Sequence, residues 1–299
     1  MGLLHHLVVS VLPLIPRPIM RRLSARYIAG ETLGEALAVL QANLGQGYDG
    51  VLDILGEDVA DEAAAREALR QYKEAASAMA KLGLDCYVSV KPSHFGLHLS
   101  APLAMELYAD LLSHCAGLGQ FARVEMEDAS TTDATLELFR GLRAEYDNVG
   151  IVLQSRLRRT PADIEALPEV PCDVRLVKGI YLEPESIAHT EYTPIRNAFL
   201  ECSRALFERG HSLAFATHDG DLAGRLLRDA HDGGVDRSRF CFEVLLGVRE
   251  ELWPRWREAG NHVRVYVPYG PLWRSYSQRR LRKNPEVLRH VIRGTLQRR

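Results

Sequence analysis

Eight short apolar runs recur along the chain, and a helical segment separates each from the next. They span 50–54, 86–90, 121–126, 149–153, 173–177, 213–216, 240–244 and 263–267. All are rich in Val, Leu and Ile, the pattern of strands buried on both faces. Eight strands alternating with helices over about 220 residues is the count of an α/β fold of the (β/α)8 TIM barrel type. A doubly wound sheet is the competing architecture. It usually carries a glycine-rich turn after its first strand, and GxGxxG is absent here. The expected organisation is an N-terminal helical arm over 1–45 and a barrel over 46–299 that includes a C-terminal helix.

The helical segments have legible punctuation. Ala65, Leu69, Tyr72, Ala76 and Met79 step by four and three and share one face, and Gly83 offers a stop. Thr160-Pro161 and Thr193-Pro194 each read as an N-cap followed by proline at the first helical position. Asn284-Pro285-Glu286 repeats that signal.

Composition excludes several classes. Of 299 residues, 46% are hydrophobic and 25% charged, so disorder, collagen and coiled coil are out. The net charge of −2 does not suit a polyanion binder, and no nucleic-acid partner is expected. The five cysteines are scattered without a CxxC, which points to a reducing cytoplasm and buried thiols. No histidine pattern suits a metal, so no metal site is expected. No apolar run reaches 18 residues. The apolar stretch 3–16 is broken by Pro13 and Pro16 and lacks a preceding basic region, so it reads as an arm and not as a signal peptide. Arg17, Arg21, Arg22 and Arg26 follow it and suit either a packed arm or contact with anionic lipid.

In such barrels chemistry sits at the carboxyl ends of the strands. Strand 1 leads to Asp53 and Glu57, and strand 2 into Lys91-Pro92-Ser93. Strand 3 holds Glu125, with Glu127 beyond it, and strand 4 ends at Gln154-Ser155. Strand 5 carries Arg175 and ends at Lys178-Gly179, and strand 6 ends at Thr217-His218-Asp219. Strand 7 carries Glu243 and strand 8 Tyr266. Arg175 and Glu125 fall inside apolar strands, where an unpaired charge is costly, so each must face a polar mouth or pair across the barrel. Late in the chain, Tyr276, Arg279 and Arg280 stand at i, i+3 and i+4 and share a helical face. Two adjacent arginines can grip a carboxylate through bidentate hydrogen bonds. The stretch 273–299 has nine Lys or Arg and one acid. Its outer arginines suit a solvated basic face.

These residues resemble the proline dehydrogenase family in its small single-function bacterial form. The resemblance is carried by Arg175-Leu176-Val177-Lys178-Gly179-Ile180-Tyr181, Val152-Leu153-Gln154-Ser155, Ala216-Thr217-His218-Asp219 and Val90-Lys91-Pro92. Glu125-Met126-Glu127-Asp128 and Tyr276-Ser277-Gln278-Arg279-Arg280-Leu281 complete it, and it covers about residues 25 to 290. The resemblance implies a distorted (β/α)8 barrel, with the C-terminal helix over its mouth, that holds FAD. It implies oxidation of L-proline to 1-pyrroline-5-carboxylate by hydride transfer to flavin N5, with electrons passing to a membrane quinone. It also implies a cytoplasmic protein with peripheral contact at the inner face of the cell membrane.

Site roles follow from the same resemblance. Glu125 and Arg175 are the implied catalytic pair, with Arg175 near flavin N5. Lys91, Arg279 and Arg280 would bind the substrate carboxylate, Tyr266 and Tyr276 would wall the ring, and Glu57 would pair with Arg279 to close the site. Val124, Gln154, Arg175, Lys178, Gly179, Ile180, Thr217 and His218 would line the flavin nucleotide. Two positions depart from the family pattern: Glu125 where aspartate is usual, and Lys283 where glutamate is frequent. The residues themselves leave a different chemistry open, a Schiff-base lyase or aldolase using Lys178 or Lys91.

Overall fold

The computed structural model describes residues 20–21, 24–274 and 276–277. Its eight strands are β1 (Asp49–Ile54), β2 (Cys86–Val90), β3 (Ala122–Val124), β4 (Val149–Gln154), β5 (Asp173–Val177), β6 (Ser212–Ala216), β7 (Phe240–Leu245) and β8 (Val263–Tyr269). All neighbours pair in parallel in sequence order, and β8 closes on β1, so the sheet is a closed barrel. The intervening helices are α2 (Glu62–Lys81), α3 (Ala101–Gly117), α4 (Thr132–Glu145), α5 (Thr160–Glu165), α6 (Tyr192–Glu208), α7 (Gly220–Asp232) and α8 (Trp253–Glu258). Helix α1 (Leu33–Gly45) precedes β1 and packs on β1 and β8.

The core lies between strands and helices, where the outward strand faces meet the apolar helix stripes. Helix α2 buries Ala65, Leu69, Tyr72, Ala76 and Met79, as their spacing predicts. Asp61 caps it by accepting from the Ala64 N–H at 2.8 Å, and Gly83 follows with φ +63°, a left-handed conformation that favours glycine. The Phe242 and Trp256 rings stack at 4.3 Å between β7 and α8.

Three local expectations shift. Strand β3 is only three residues long, so Glu125 lies just beyond it. The Glu125 N–H still donates to the Val90 carbonyl at 2.9 Å, and beyond it the Glu127 carbonyl accepts from the Gln154 side chain at 2.5 Å. Strand β8 runs on through Pro268, whose carbonyl accepts from the Ala29 N–H at 2.9 Å. Thr160 and Thr193 lie inside their helices, and the caps are Arg159 and Glu191. The Thr160 hydroxyl donates instead to the Gln154 carbonyl at 2.5 Å. Asn284-Pro285-Glu286 lies outside the described residues.

Candidate active site

Strand alternation puts every second side chain inside a barrel. Here that selects Tyr87, Ser89 and Lys91 from β2 and its end, Arg123 and Glu125 from β3 and its end, Arg175 from β5, Glu243 from β7 and Tyr266 from β8. All but Lys91 meet around Arg175, which is 3% exposed. Its Nη1 donates to Glu125 Oε1 at 2.5 Å and to Ser89 Oγ at 3.2 Å, its Nη2 donates to the Tyr87 hydroxyl at 3.1 Å, and its Nε donates to Glu243. Its guanidinium carbon lies 5.1 Å from the Tyr266 ring centroid, and the Tyr266 hydroxyl donates to Glu125 Oε1 at 3.2 Å. Burial works against both charges, but the attraction between them wins. Arg175 is held well above the usual arginine range and Glu243 below the usual carboxylate range. Of the two alternatives, a polar mouth or a partner across the barrel, Arg175 and Glu125 take the second and pair with each other.

Next to this network, across β1, β2 and β8, lies a cavity of about 230 Å³. Leu55, Gly56, Glu57, Lys91, Leu272 and Tyr276 line it. Lys91 Nζ stands 3.7 Å from Glu57 Oε2 and donates to the Gly56 carbonyl at 3.5 Å. Burial alone would lower the Lys91 ammonium, but Asp53 and further acidic neighbours outweigh it and raise it. The Asp53 carboxyl is pushed up by burial despite Lys91, and its Oδ1 has no hydrogen-bond partner among the described residues. A cation and a carboxylate at one opening, with the buried Asp53 behind the cation, can bind a small zwitterion.

On the opposite side, Gln154 ends β4. Its Nε2 is used by Glu127, and its Oε1 is buried without a partner among the described residues. Gly179 faces it with φ +96°, and a Cβ there would lie 2.6 Å from Gln154 Oε1. Lys178 Nζ pairs with Asp219 Oδ2 at 2.8 Å. Burial raises the Asp219 carboxyl, but that bond and others outweigh it and hold it at about 2. Thr217 is buried and its hydroxyl accepts from the Asp219 N–H at 3.2 Å. His218 Nε2 accepts from the Leu245 N–H at 2.8 Å, which in a neutral ring puts the proton on Nδ1. Val124 is fully buried, whereas Ile180 projects at 70% exposure from the loop after β5.

The expected residues thus fall into three neighbouring groups around one barrel mouth. Arg279 and Arg280, together with Lys283, lie outside the described residues. Sequence reasoning gave no role to Glu243, Asp53, Tyr87 or Arg123. Glu243 and Asp53 were visible as acids in apolar strands, the same signal that singled out Glu125. Tyr87 and Arg123 carried only their even spacing from Ser89 and Glu125. Among the described residues no cluster of His, Cys, Asp and Glu could hold a metal ion.

The family model described as proline dehydrogenase matches residues 36–291. Proline dehydrogenase 1 of Bacillus subtilis subsp. natto is 32% identical over 276 residues, 92% of this chain and 91% of that protein. Proline dehydrogenase of Deinococcus radiodurans is 31% identical over 287 residues, 94% of this chain and 93% of that protein. Among solved structures, proline utilization A from Bdellovibrio bacteriovorus, inactivated by N-propargylglycine, superposes with a TM-score of 0.82 at 24% identity. That match covers 91% of this chain and 36% of the larger one, and it bears on the fold.

Proposed function

Because the chain belongs to the proline dehydrogenase family, we propose that it oxidises L-proline to 1-pyrroline-5-carboxylate with FAD held at the strand mouths, and that a membrane quinone takes up the electrons. The observation that carries this reading is Arg175, a cation buried among strand ends and fixed by four hydrogen bonds. A fixed cation stabilises negative charge that develops during reaction, because no reorganisation is needed at that moment. The flavin side fits as well. The Gln154 Oε1, buried and unpartnered among the described residues, can accept from a ring N–H. When bound, FAD supplies the hydride acceptor at N5 that no side chain of this chain can provide.

The chain's own residues do the rest. Lys91, with Arg279 and Arg280, takes the substrate carboxylate, and Tyr266 and Tyr276 wall the ring. Glu57, at the rim beside Lys91, pairs with Arg279 when the site closes and excludes water. Glu125 accepts from Arg175, Ser89 and Tyr266 and so keeps the cation aligned under the substrate. Val124, Lys178, Gly179, Ile180, Thr217 and His218 line the nucleotide. Quinone is a membrane solute, so the proposed location is the cytoplasmic face of a membrane. No helix among the described residues is long and apolar enough to cross one.

The Schiff-base alternative needs a neutral lysine. Lys91 is shifted the other way, and Lys178 is committed to Asp219 at 2.8 Å. Acid precipitation of the purified protein should release FAD into the supernatant. Incubation with L-proline and a soluble quinone should yield a product two hydrogens lighter than proline. Protein that neither retains nor takes up FAD, and forms no such product, refutes the reading.

A further inference from the structure

We propose that Glu243 is a positioning residue: it holds the Arg175 guanidinium in its working orientation and sets the positive charge that the site presents to the flavin. The proposal rests on the flavin reading above. Glu243 sits on β7 and is 3% exposed. It takes the Nε of Arg175, the donor nearest the main chain. That bond fixes the plane of the guanidinium, while Nη1 and Nη2 are left for Glu125, Ser89 and Tyr87. The Tyr87 hydroxyl also donates to Glu243, so the carboxylate is itself held from β2.

Behind Glu243 stands a second buried cation. Arg123 Nη2 lies 3.7 Å from Glu243 Oε1, and Arg123 Nε donates to the Tyr87 hydroxyl at 3.0 Å. Its other contacts run away from Arg175, to Asp173 Oδ1 at 2.7 Å and to the carbonyls of Ile151 and Asp173. Gly150 makes this placement possible, because a Cβ there would lie 2.9 Å from Arg123 Nη1 and 2.7 Å from the Asp173 carbonyl. Two arginines and two glutamates therefore share the barrel interior, and Glu243 is the carboxylate between the arginines. In so dry a setting, removing one negative charge leaves an uncompensated positive one that water does not screen. Negative charge on a nearby reduced ring would then be favoured.

A purely structural Glu243, tying β2, β3, β5 and β7 together, would affect stability alone. The midpoint potential of the bound flavin separates the two roles. In holoenzyme, Glu243→Gln should shift that potential to a more positive value, and Arg123→Gln should shift it to a more negative one. The double variant, with the buried charges balanced again, should return towards wild type. Melting temperatures of all three are measured alongside. Flavin-loaded variants with lowered melting temperatures but the wild-type potential overturn the proposal and leave the flavin reading intact. If Glu243→Gln does not fold, the Arg123→Gln shift decides alone, and an unmoved potential refutes the proposal. Wild-type protein that binds no flavin removes the underlying reading and the proposal together.

Discussion

At the scale of the residue, Lys91 shows how position sets the charge of a side chain. In solution its ammonium would be an ordinary cation. Here Asp53 and other acids hold the charge in place at the wall of a cavity. Lys91→Met keeps the length and removes the charge, so the apparent KM for proline should rise by about one to two orders of magnitude, the range for a lost charge-assisted hydrogen bond. Flavin content should stay at wild type, and unchanged proline kinetics would remove Lys91 from the site. His94, packed edge-on to Tyr72 with centroids 5.8 Å apart, makes a different prediction. Burial first, then Lys91, lowers its imidazole to about 4. The unfolded chain takes up that proton near pH 6.5 and the folded one only near pH 4, so the contribution of His94 to stability is lost as pH falls through that window. The slope is at most about 1.4 kcal/mol per pH unit. Denaturant unfolding of wild type and His94→Asn between pH 7 and 4 should show a steeper decline for wild type, and parallel curves would contradict it. Which acids matter was only partly legible in the sequence. Glu125 and Glu243 look alike there, and only closure of the barrel shows that both reach the same guanidinium.

At the scale of the element, period and punctuation carried the fold. The buried face of α2 and its Asp61 cap follow from spacing and from one side-chain oxygen. Asp61→Ala should lower global stability by about 1 kcal/mol and Asp61→Asn by far less, as read by urea unfolding. Equal losses in the two would show that charge, not capping, is the cause. The Thr-Pro signals located α5 and α6 but misplaced their caps by one or two residues, and at Thr160 the hydroxyl bonds to the Gln154 carbonyl instead. Strand β3 was read too long because an apolar run predicts burial and not pairing: Met126 is buried beyond the strand's end.

At the scale of the whole molecule, closing eight parallel strands gathers three groups that are far apart in sequence. The cavity with Lys91 lies across β1, β2 and β8, the Gln154–Gly179 contact lies at the ends of β4 and β5, and Arg175 is buried in the interior. The strand count made the barrel legible, and the order of the strand-end motifs made the family legible. The charge network beneath them leaves no such pattern in the sequence, because its members come from five different strands or their ends. The proposed function requires this mouth to bring proline and a flavin together. The decisive experiment is anaerobic mixing of the purified holoprotein with L-proline, followed by visible absorbance. An oxidised flavin spectrum should bleach on mixing and recover when a quinone is added. A flavin that stays oxidised under saturating L-proline would contradict it.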